Sequence, residues 1–385
     1  MMLRIELSTI RGSGHPWIFR RMIKKNQPMP ENGEAVEVYD REGTFVGIGM
    51  YSGGSHIALR IIGDQAGVEV DEVFIASRLA ELRHVREDVM GVAKESDAYR
   101  LCNSEGDGLS GLIIDKFGTS FVVDVRSTGW FKRQEEISEA LKKVWGPGIG
   151  VYFTSTPNIE ESERITVPPM PNQRIDFSEH GLRYTVNLAV AHKTGFFLDQ
   201  RDNRALIGAA SKGLKVLDCC CYTGGFSLNA ARGEAAEVIG VDLDEDAVEA
   251  ATKNAARNNL KAKFIHSDVF PYLRDRVRYA NFPDMIILDP PKVIHSRDDY
   301  SVGLRKYYDL NRTALSSLQR GGFLFTFSCS GRLTEEAFLK VISESAFDTR
   351  KTFQVLRITG AGPDHPYLLN APETRYLKGV FGRLI

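Results

Sequence analysis

The sequence predicts an α/β fold in which a doubly wound, mostly parallel sheet forms the C-terminal part and two smaller domains precede it. Three observations carry this expectation. After Gly181, strand-like and helix-like runs alternate: LKVLDCC then GFSLNAAR, EVIGVDL then EDAVEAATKNAARNN, followed by KFIHSDV, DMIILDPP and GGFLFTFS. Such alternation is the signature of a parallel sheet with helices on its faces. Residues 3 to 62 alternate short β runs with Gly-rich turns instead, the spacing of a small all-β barrel. The segment between mixes helix and strand periods.

Taken in order, EAVEVYD, TFVGIGMYS and IALRII read as barrel strands. From Asp71 the period changes, and VFIASRLAELRHVRE sets Phe74, Leu79, Leu82 and Val85 near one helical face. The strands GLIIDKF and SFVVDVR, the helix FKRQEEISEALKKVW and the strand IGVYFT complete a small α+β unit. Prolines in VPPMPNQ, residues 167 to 173, stop regular structure and mark a linker. The expected domains are residues 1–68, 69–172 and 173–385.

With 385 residues, 43% of them apolar, the chain can bury a large core and divide into domains. No apolar run approaches the roughly 20 residues that span a bilayer, and the first residues lead into no signal-peptide core. A cytoplasmic protein is expected. Five cysteines, three adjacent at Cys219, Cys220 and Cys221, suggest free thiols, because neighbours on a strand point in opposite directions. A net charge of -1 argues against a histone-like binder but not against a local basic face. Residues 11 to 25, RGSGHPWIFRRMIKK, offer one, with Trp17 and Phe19 among the cations. That composition suits phosphates and stacked bases, and equally a solvated surface over two core aromatics.

Ligands of open α/β sheets bind beyond the carboxyl ends of the strands. Here four successive strands end in acids: Asp218, Asp242, Asp268 and Asp289. Helix capping explains one or two such acids more readily than four. After Asp218 the turn CCCYTGG carries Gly224 and Gly225, which admit a ligand close to backbone. Cys220 and Tyr222 stand where glycine is usual in a dinucleotide fingerprint, which speaks against a pyrophosphate. Asp242 lies about two dozen residues past Asp218, near the offset of roughly 20 at which an acid holds ribose hydroxyls. The eight histidines are scattered without H-E-x-x-H or paired C-x-x-C units, so no metal site is expected. Neither a phosphate-binding G-x-x-x-x-G-K-[ST] loop nor a G-x-S-x-G elbow occurs.

Taken together, HKTGFFLDQRDNR, LDCCCYTGGFS, GVDLDEDAVEAATKNAARNN, ILDPPK, FTFSCSG and DHPYLLNAPETRYLKGVFGRL resemble the S-adenosylmethionine-dependent large-subunit ribosomal RNA 5-methylcytosine methyltransferases that carry an N-terminal PUA domain. GHPWIF is similar to the start of the PUA module, and CNSEGDGLSGLIIDKF to the middle domain. The resemblance implies a class I, Rossmann-like methyltransferase domain with a seven-stranded sheet, a ribosomal RNA partner and a homodimer. It further implies that Gln200, Tyr222 and the Gly224 backbone contact the methionine portion of S-adenosylmethionine. Asp218 belongs to the same cofactor site; Asp242 takes the ribose hydroxyls, Asp268 faces the adenine end, and Asp289 lies between cofactor and target base. The three consecutive cysteines depart from the family pattern.

Carbon 5 of cytosine is a poor nucleophile until a thiolate adds at carbon 6. Cys329, at the end of GGFLFTFS and flanked by Ser328 and Ser330, is the expected nucleophile. The short serines leave room for a base against the sulfur. Asp289 would hold the cytosine edge. Glu373, Asp364, His365 or a water would remove the hydrogen at carbon 5. The plain structural reading of Cys329 is a small buried hydrophobe, which is also the reading for Cys102 and Cys219 to Cys221. Lys292 reads as a phosphate contact or a solvated charge. Competing functions are an adenine amino-group methyltransferase, disfavoured because Lys292 follows the prolines where an aromatic is usual; a 5-methyluridine enzyme; and a non-catalytic RNA-binding assembly factor.

Overall fold

The computed structural model describes residues 2–190 and 193–385. His192, at the head of the HKTGFF motif, lies outside the described residues. The chain forms two compact units. One comprises Met1–Glu179, Val186–Leu198 and Pro363–Thr374; the other comprises His180–Thr185, Asp199–Gly362 and Arg375–Ile385.

In the first unit, β1 (Arg4–Glu6), β2 (Trp17–Phe19), β3 (Ala35–Tyr39), β4 (Phe45–Tyr51) and β5 (Ile57–Gly63) form one sheet in the order β1-β3-β4-β5-β2. Alternation along β3 buries Val36 and Val38, which pack with Ile5, Leu7, Ile18 and Leu59. Helix α1 (Glu72–His84) starts where the Asp71 carboxylate accepts a hydrogen bond from the Phe74 amide at 2.9 Å. It buries Ile75, Ala76, Leu79 and Leu82, while Phe74 and Val85 are half-buried. The antiparallel strands β6 (Ala98–Asn103), β7 (Leu112–Phe117) and β8 (Ser120–Val125) are followed by α2 (Thr128–Phe131), α3 (Gln134–Trp145) and β9 (Gly150–Thr154), which adds parallel to β8. The residue pattern does not mark β6, because Arg100 interrupts its apolar run; the guanidinium is neutralised by buried Asp115 at 2.5 Å. Helix α4 (Pro157–Glu163) and strand β10 (Arg174–Glu179) follow, and β11 (Leu182–Asn187) begins in the second unit.

The second unit runs α5 (Arg201–Ala210), β12 (Lys215–Cys219), α6 (Gly225–Arg232), β13 (Glu237–Asp242), α7 (Glu245–Arg257), β14 (Lys263–His266), α8 (Val269–Arg278), β15 (Met285–Leu288), α9 (Tyr300–Ser316), β16 (Phe323–Ser328), α10 (Glu335–Asp348), β17 (Phe353–Thr359) and β18 (Lys378–Leu384). Seven strands pair in the order β14-β13-β12-β15-β16-β18-β17. The first five are parallel; β18 runs antiparallel to both β16 and β17. Chain order reverses at β12, so the switch point lies between β12 and β15, where such sheets bind ligands. Leu217, Val241, Ile286, Leu288 and Leu324 pack with Leu310 and Leu315 of α9, each buried leucine contributing about 2 kcal/mol. The five parallel strands are those the residue pattern marks. Strands β17 and β18 escape it, β17 because an edge strand exposes Val355, Leu356 and Ile358.

Candidate active site

The turn after β12 is built from left-handed residues. Cys220 has φ 63°, Tyr222 φ 47° and Gly224 φ 84°. A non-glycine residue there costs roughly 1–2 kcal/mol, and such strain clusters at functional sites. The two positions at which the sequence departs from glycine therefore keep a glycine-like backbone. Gly224 has a second reason to lack a side chain: a Cβ would stand 2.9 Å from Leu228 Cδ1 and 3.1 Å from both Ala251 and Phe264. What fills that space is the side chains of Leu228, Ala251 and Phe264. Cys219 and Cys221 are buried and burial pushes all three neighbouring thiols up, so they are inert packing groups. None of the five cysteines forms a disulfide.

Each strand-end acid has a distinct setting. Asp218 is fully buried; one oxygen accepts hydrogen bonds from the Ser227 amide (2.9 Å) and hydroxyl (2.6 Å), and the other, Oδ1, has no partner among the described residues. Burial pushes its carboxyl up to about 7, against the opposing effect of Ser227. Asp242 accepts the Tyr222 amide at 2.8 Å and the Asp244 amide at 3.0 Å, each oxygen keeping capacity for a further donor. Asp268 is exposed and caps α8 through the Phe270 amide at 2.8 Å. Asp289, after β15, accepts from Gln200 Nε2 at 3.1 Å. Burial, with the charges of Asp199 and Asp218, pushes it up to about 7.

The LDQRDNR motif supplies a buried polar layer that spacing alone does not reveal. Asn203 donates to Gln200 Oε1 at 2.6 Å, fixing the amide that reaches Asp289, and Tyr376 donates to Asp199 at 2.6 Å. Cys329 follows β16 directly and is partly exposed; its thiol points toward the Pro290 carbonyl at 4.0 Å. Cys329 and the Asp289-Pro290 loop thus meet. The flanking serines are buried and bound to one phenol: Ser328 donates to Tyr307 at 2.9 Å, and Ser330 Oγ lies 3.1 Å from it. Lys378, first residue of β18, donates to the Ser330 carbonyl at 2.7 Å. Tyr307 lies in no motif, and Lys378, although inside RYLKGVFGRL, is not singled out by it; only the β16–β18 pairing, with Ser328 opposite Lys378, brings the lysine here.

The other sequence candidates lie in the first unit or on the surface. Asp364 accepts the Arg100 amide at 3.0 Å and pairs with His365 at 3.2 Å, while Glu373 pairs with His15 at 2.9 Å. Lys292 is exposed. In the basic stretch, Arg20 donates to the carbonyls of Ser52, Gly53 and Ser55, and Trp17 donates to Glu105 at 2.8 Å. Those two are tied to the rest of the unit, although Arg20, like Phe19, Arg21 and Lys25, is exposed. Among the described residues, no group of His, Cys, Asp and Glu is arranged to hold a metal ion, and no helix is long and apolar enough to cross a membrane.

Residues 11–63 match the PUA-like domain family, and residues 161–349 match the S-adenosylmethionine-dependent methyltransferase family. The ribosomal RNA large subunit methyltransferase I of Tolumonas auensis is 38% identical, over 96% of each chain. That of Escherichia coli O9:H4 is 33% identical, also over 96% of each. A crystal structure of a methyltransferase complexed with SAH superposes with a TM-score of 0.82 at 25% identity and covers 100% of both chains. A SAM-dependent methyltransferase from Streptococcus mutans shares the fold at 23% identity, with a TM-score of 0.81.

The site fits S-adenosylmethionine on its own terms. Two buried polar atoms around the turn, Asp218 Oδ1 and Thr223 Oγ1, lack partners among the described residues, and Asp242 has free acceptor capacity for hydroxyls. The mutually repelling Asp199, Asp218 and Asp289 suit a cationic ligand. The 38% identity across 96% of the chain, on a PUA-like domain and a methyltransferase domain, places the protein in the ribosomal RNA large subunit methyltransferase I family of S-adenosylmethionine-dependent enzymes.

Proposed function

We propose that this enzyme methylates carbon 5 of a cytosine in large-subunit ribosomal RNA through a covalent adduct between Cys329 and carbon 6. The observation that carries the reading is the meeting of Cys329, at the end of β16, with the Asp289-Pro290 loop at the end of β15. A nucleophile and a base-edge reader stand together at the carboxyl ends of adjacent strands, beside the switch point.

Bound S-adenosylmethionine supplies a methyl group made electrophilic by its sulfonium. Gln200, Tyr222 and the Gly224 backbone hold its methionine end, with Asp218 beneath them. Asp242 takes the ribose and Asp268 faces the adenine. The Cys329 thiolate adds to carbon 6, and the electrons of the carbon 5–carbon 6 double bond become available at carbon 5. Asp289, pushed up to about 7, is half protonated near neutrality. Its O–H can donate to cytosine N3, an acceptor, and so stabilise charge moving onto the ring. Uracil presents N3–H there and would call for the ionised form, so the protonation state that Asp289 keeps in the complex decides between cytosine and the 5-methyluridine alternative. Of the acceptors considered for the carbon 5 proton, Asp364, His365, Glu373 and water, water is the one proposed, because Asp364, His365 and Glu373 already hold hydrogen bonds with Arg100, with one another and with His15.

The division of labour follows from the domains: residues 1–68 dock structured RNA, residues 69–172 support them, and residues 173–385 receive the flipped base. Cytoplasmic residence and a homodimeric state complete the proposal, and sedimentation of the purified chain tests the dimer. The decisive experiment incubates the protein with labelled S-adenosylmethionine and unmodified large-subunit RNA, followed by nucleoside analysis. Label in 5-methylcytidine is expected; label confined to another nucleoside overturns the base assignment.

A further inference from the structure

Lys378 is an unusual lysine. Its side chain is buried, 2% exposed, on the strand that pairs with the one delivering Cys329. Its ammonium has three donors, yet among the described residues its single hydrogen bond goes to the Ser330 carbonyl at 2.7 Å and no carboxylate stands in ion-pair contact with it. A buried cation without a counterion is costly and either loses its proton or sits beside a developing anion. The ammonium thus sits at the carbonyl of the residue that follows Cys329, and the Cys329 side chain acts on it electrostatically, while the flanking serines turn toward Tyr307.

We propose that Lys378 sets the protonation state of Cys329: the neutral amine takes the thiol proton, and the resulting ammonium stays beside the sulfur while the carbon 6 adduct forms and collapses. The inference rests on the reading of Cys329 as nucleophile. In the first step the S–H bond breaks and an N–H bond forms, giving a thiolate and an ammonium. In the last, the electrons of the carbon 5–hydrogen bond restore the ring double bond, that proton passes to water, and the carbon 6–sulfur pair returns to a thiolate facing the ammonium. Lys378 acts through Cys329 and is a positioning residue.

The surrounding groups agree. Burial pushes Lys378 down to about 8, close to the roughly 8.5 of a free thiol, so the proton can sit on either group. Besides Cys329, Arg375 and Glu335 face it, and these two pair with each other at 2.6 Å. Tyr307, facing Cys329 from α9 with Asp289 beyond it, is pushed up to about 12, mainly by burial, so it remains a phenol and is no base at neutral pH.

The test is the pH profile of Cys329 alkylation by iodoacetamide in the full chain, read peptide by peptide. In the unsubstituted protein, alkylation should stay fast well below the free-thiol midpoint of about 8.5; a midpoint at or above it overturns the inference without any variant. Lys378→Met should slow alkylation at about pH 7.5 by tenfold or more and recover as pH rises, and Lys378→Arg, which keeps the charge but cannot accept the thiol proton, should restore only part of the rate. An unchanged profile in Lys378→Met also overturns it. The underlying reading fails separately: if Cys329→Ala still methylates RNA, the nucleophile assignment falls whatever the alkylation profile shows.

Discussion

The two halves of the second unit's sheet hold their functional side chains in different ways. On the β12–β14 side, Asp242 and Asp268 are fixed by backbone amides that lie 20, 2 and 2 residues away in sequence. On the β15–β16–β18 side, Asp289 is held by Gln200 across 89 residues, Cys329 faces a carbonyl 39 residues away, and Lys378 reaches one 48 residues away. The first half is assembled by strand-turn-helix units as they form, whereas the second exists only when distant strands pair. Binding groups can sit on locally encoded turns, but a nucleophile that needs a tuned proton needs tertiary neighbours.

The sharpest way to break this contrast is to remove one group from each half. Cys329→Ala should lower turnover by on the order of 10⁴-fold and leave S-adenosylmethionine affinity unchanged by calorimetry. Asp242→Ala should do the reverse, weakening cofactor binding by roughly 10–100-fold for two lost charge-assisted hydrogen bonds. A Cys329→Ala enzyme that turns over normally, or an Asp242→Ala enzyme that binds normally, would dissolve the division between the halves.

What was legible in the sequence follows the same line. Asp218, Asp242, Asp268 and Asp289 stand out in the sequence because each lies at or just past the end of a short apolar run, and DPP and SCS flag themselves by composition. Lys378 could not be found, because RYLKGVFGRL looks alike whether its lysine is solvated or buried, and only the antiparallel register with β16 decides. Nor does spacing tell Arg20, which is committed to three carbonyls, from exposed Arg21. The layer of Asp199, Gln200 and Asn203 was visible as a motif, but its bonds to Tyr376 and Gly360 are long-range and unseen before folding.

A further prediction concerns pH, because Asp218 joins the halves at the switch point. Its folded carboxyl is raised to about 7 from an ordinary value near 4. The fold therefore favours the protonated form; that contribution to stability is complete below about pH 4 and is lost as pH rises through about 7. Asp289 adds to the same window. Stability of the cofactor-free enzyme in denaturant titrations should fall from about pH 5 to pH 7.5, and Asp218→Asn should flatten that fall by about 1 kcal/mol per pH unit. A slope that Asp218→Asn leaves unaltered would mean Asp218 ionises normally.

The turn itself yields a smaller effect. Gly224→Ala must hold alanine at φ 84° and press its Cβ within 2.9 Å of Leu228, which should cost about 1–3 kcal/mol of stability. Tyr222→Gly relaxes a strained φ of 47° and should lose less stability than the missing side chain alone would suggest. Thermal melts of both variants test whether the left-handed turn is a backbone requirement. If Gly224→Ala melts with the unsubstituted protein, the crowding under α6 does not limit that position.

The smallest expected effect lies in the first unit, where the same contrast of committed and uncommitted groups applies to cations. Arg20 ties down the loop of residues 51–55 through three carbonyls and the Tyr51 hydroxyl, so Arg20→Glu should lower the melting temperature before it says anything about RNA. Arg21 and Lys25 are exposed and make no hydrogen bond or ion pair among the described residues. Reversing both should leave the melt alone and weaken RNA binding severalfold. If each neutralises one phosphate, the slope of log affinity against log salt should become shallower by about 1.4–1.8. An unaltered slope in the double variant, measured on folded protein, would return this stretch to ordinary solvated surface and move the RNA-docking face elsewhere on the unit.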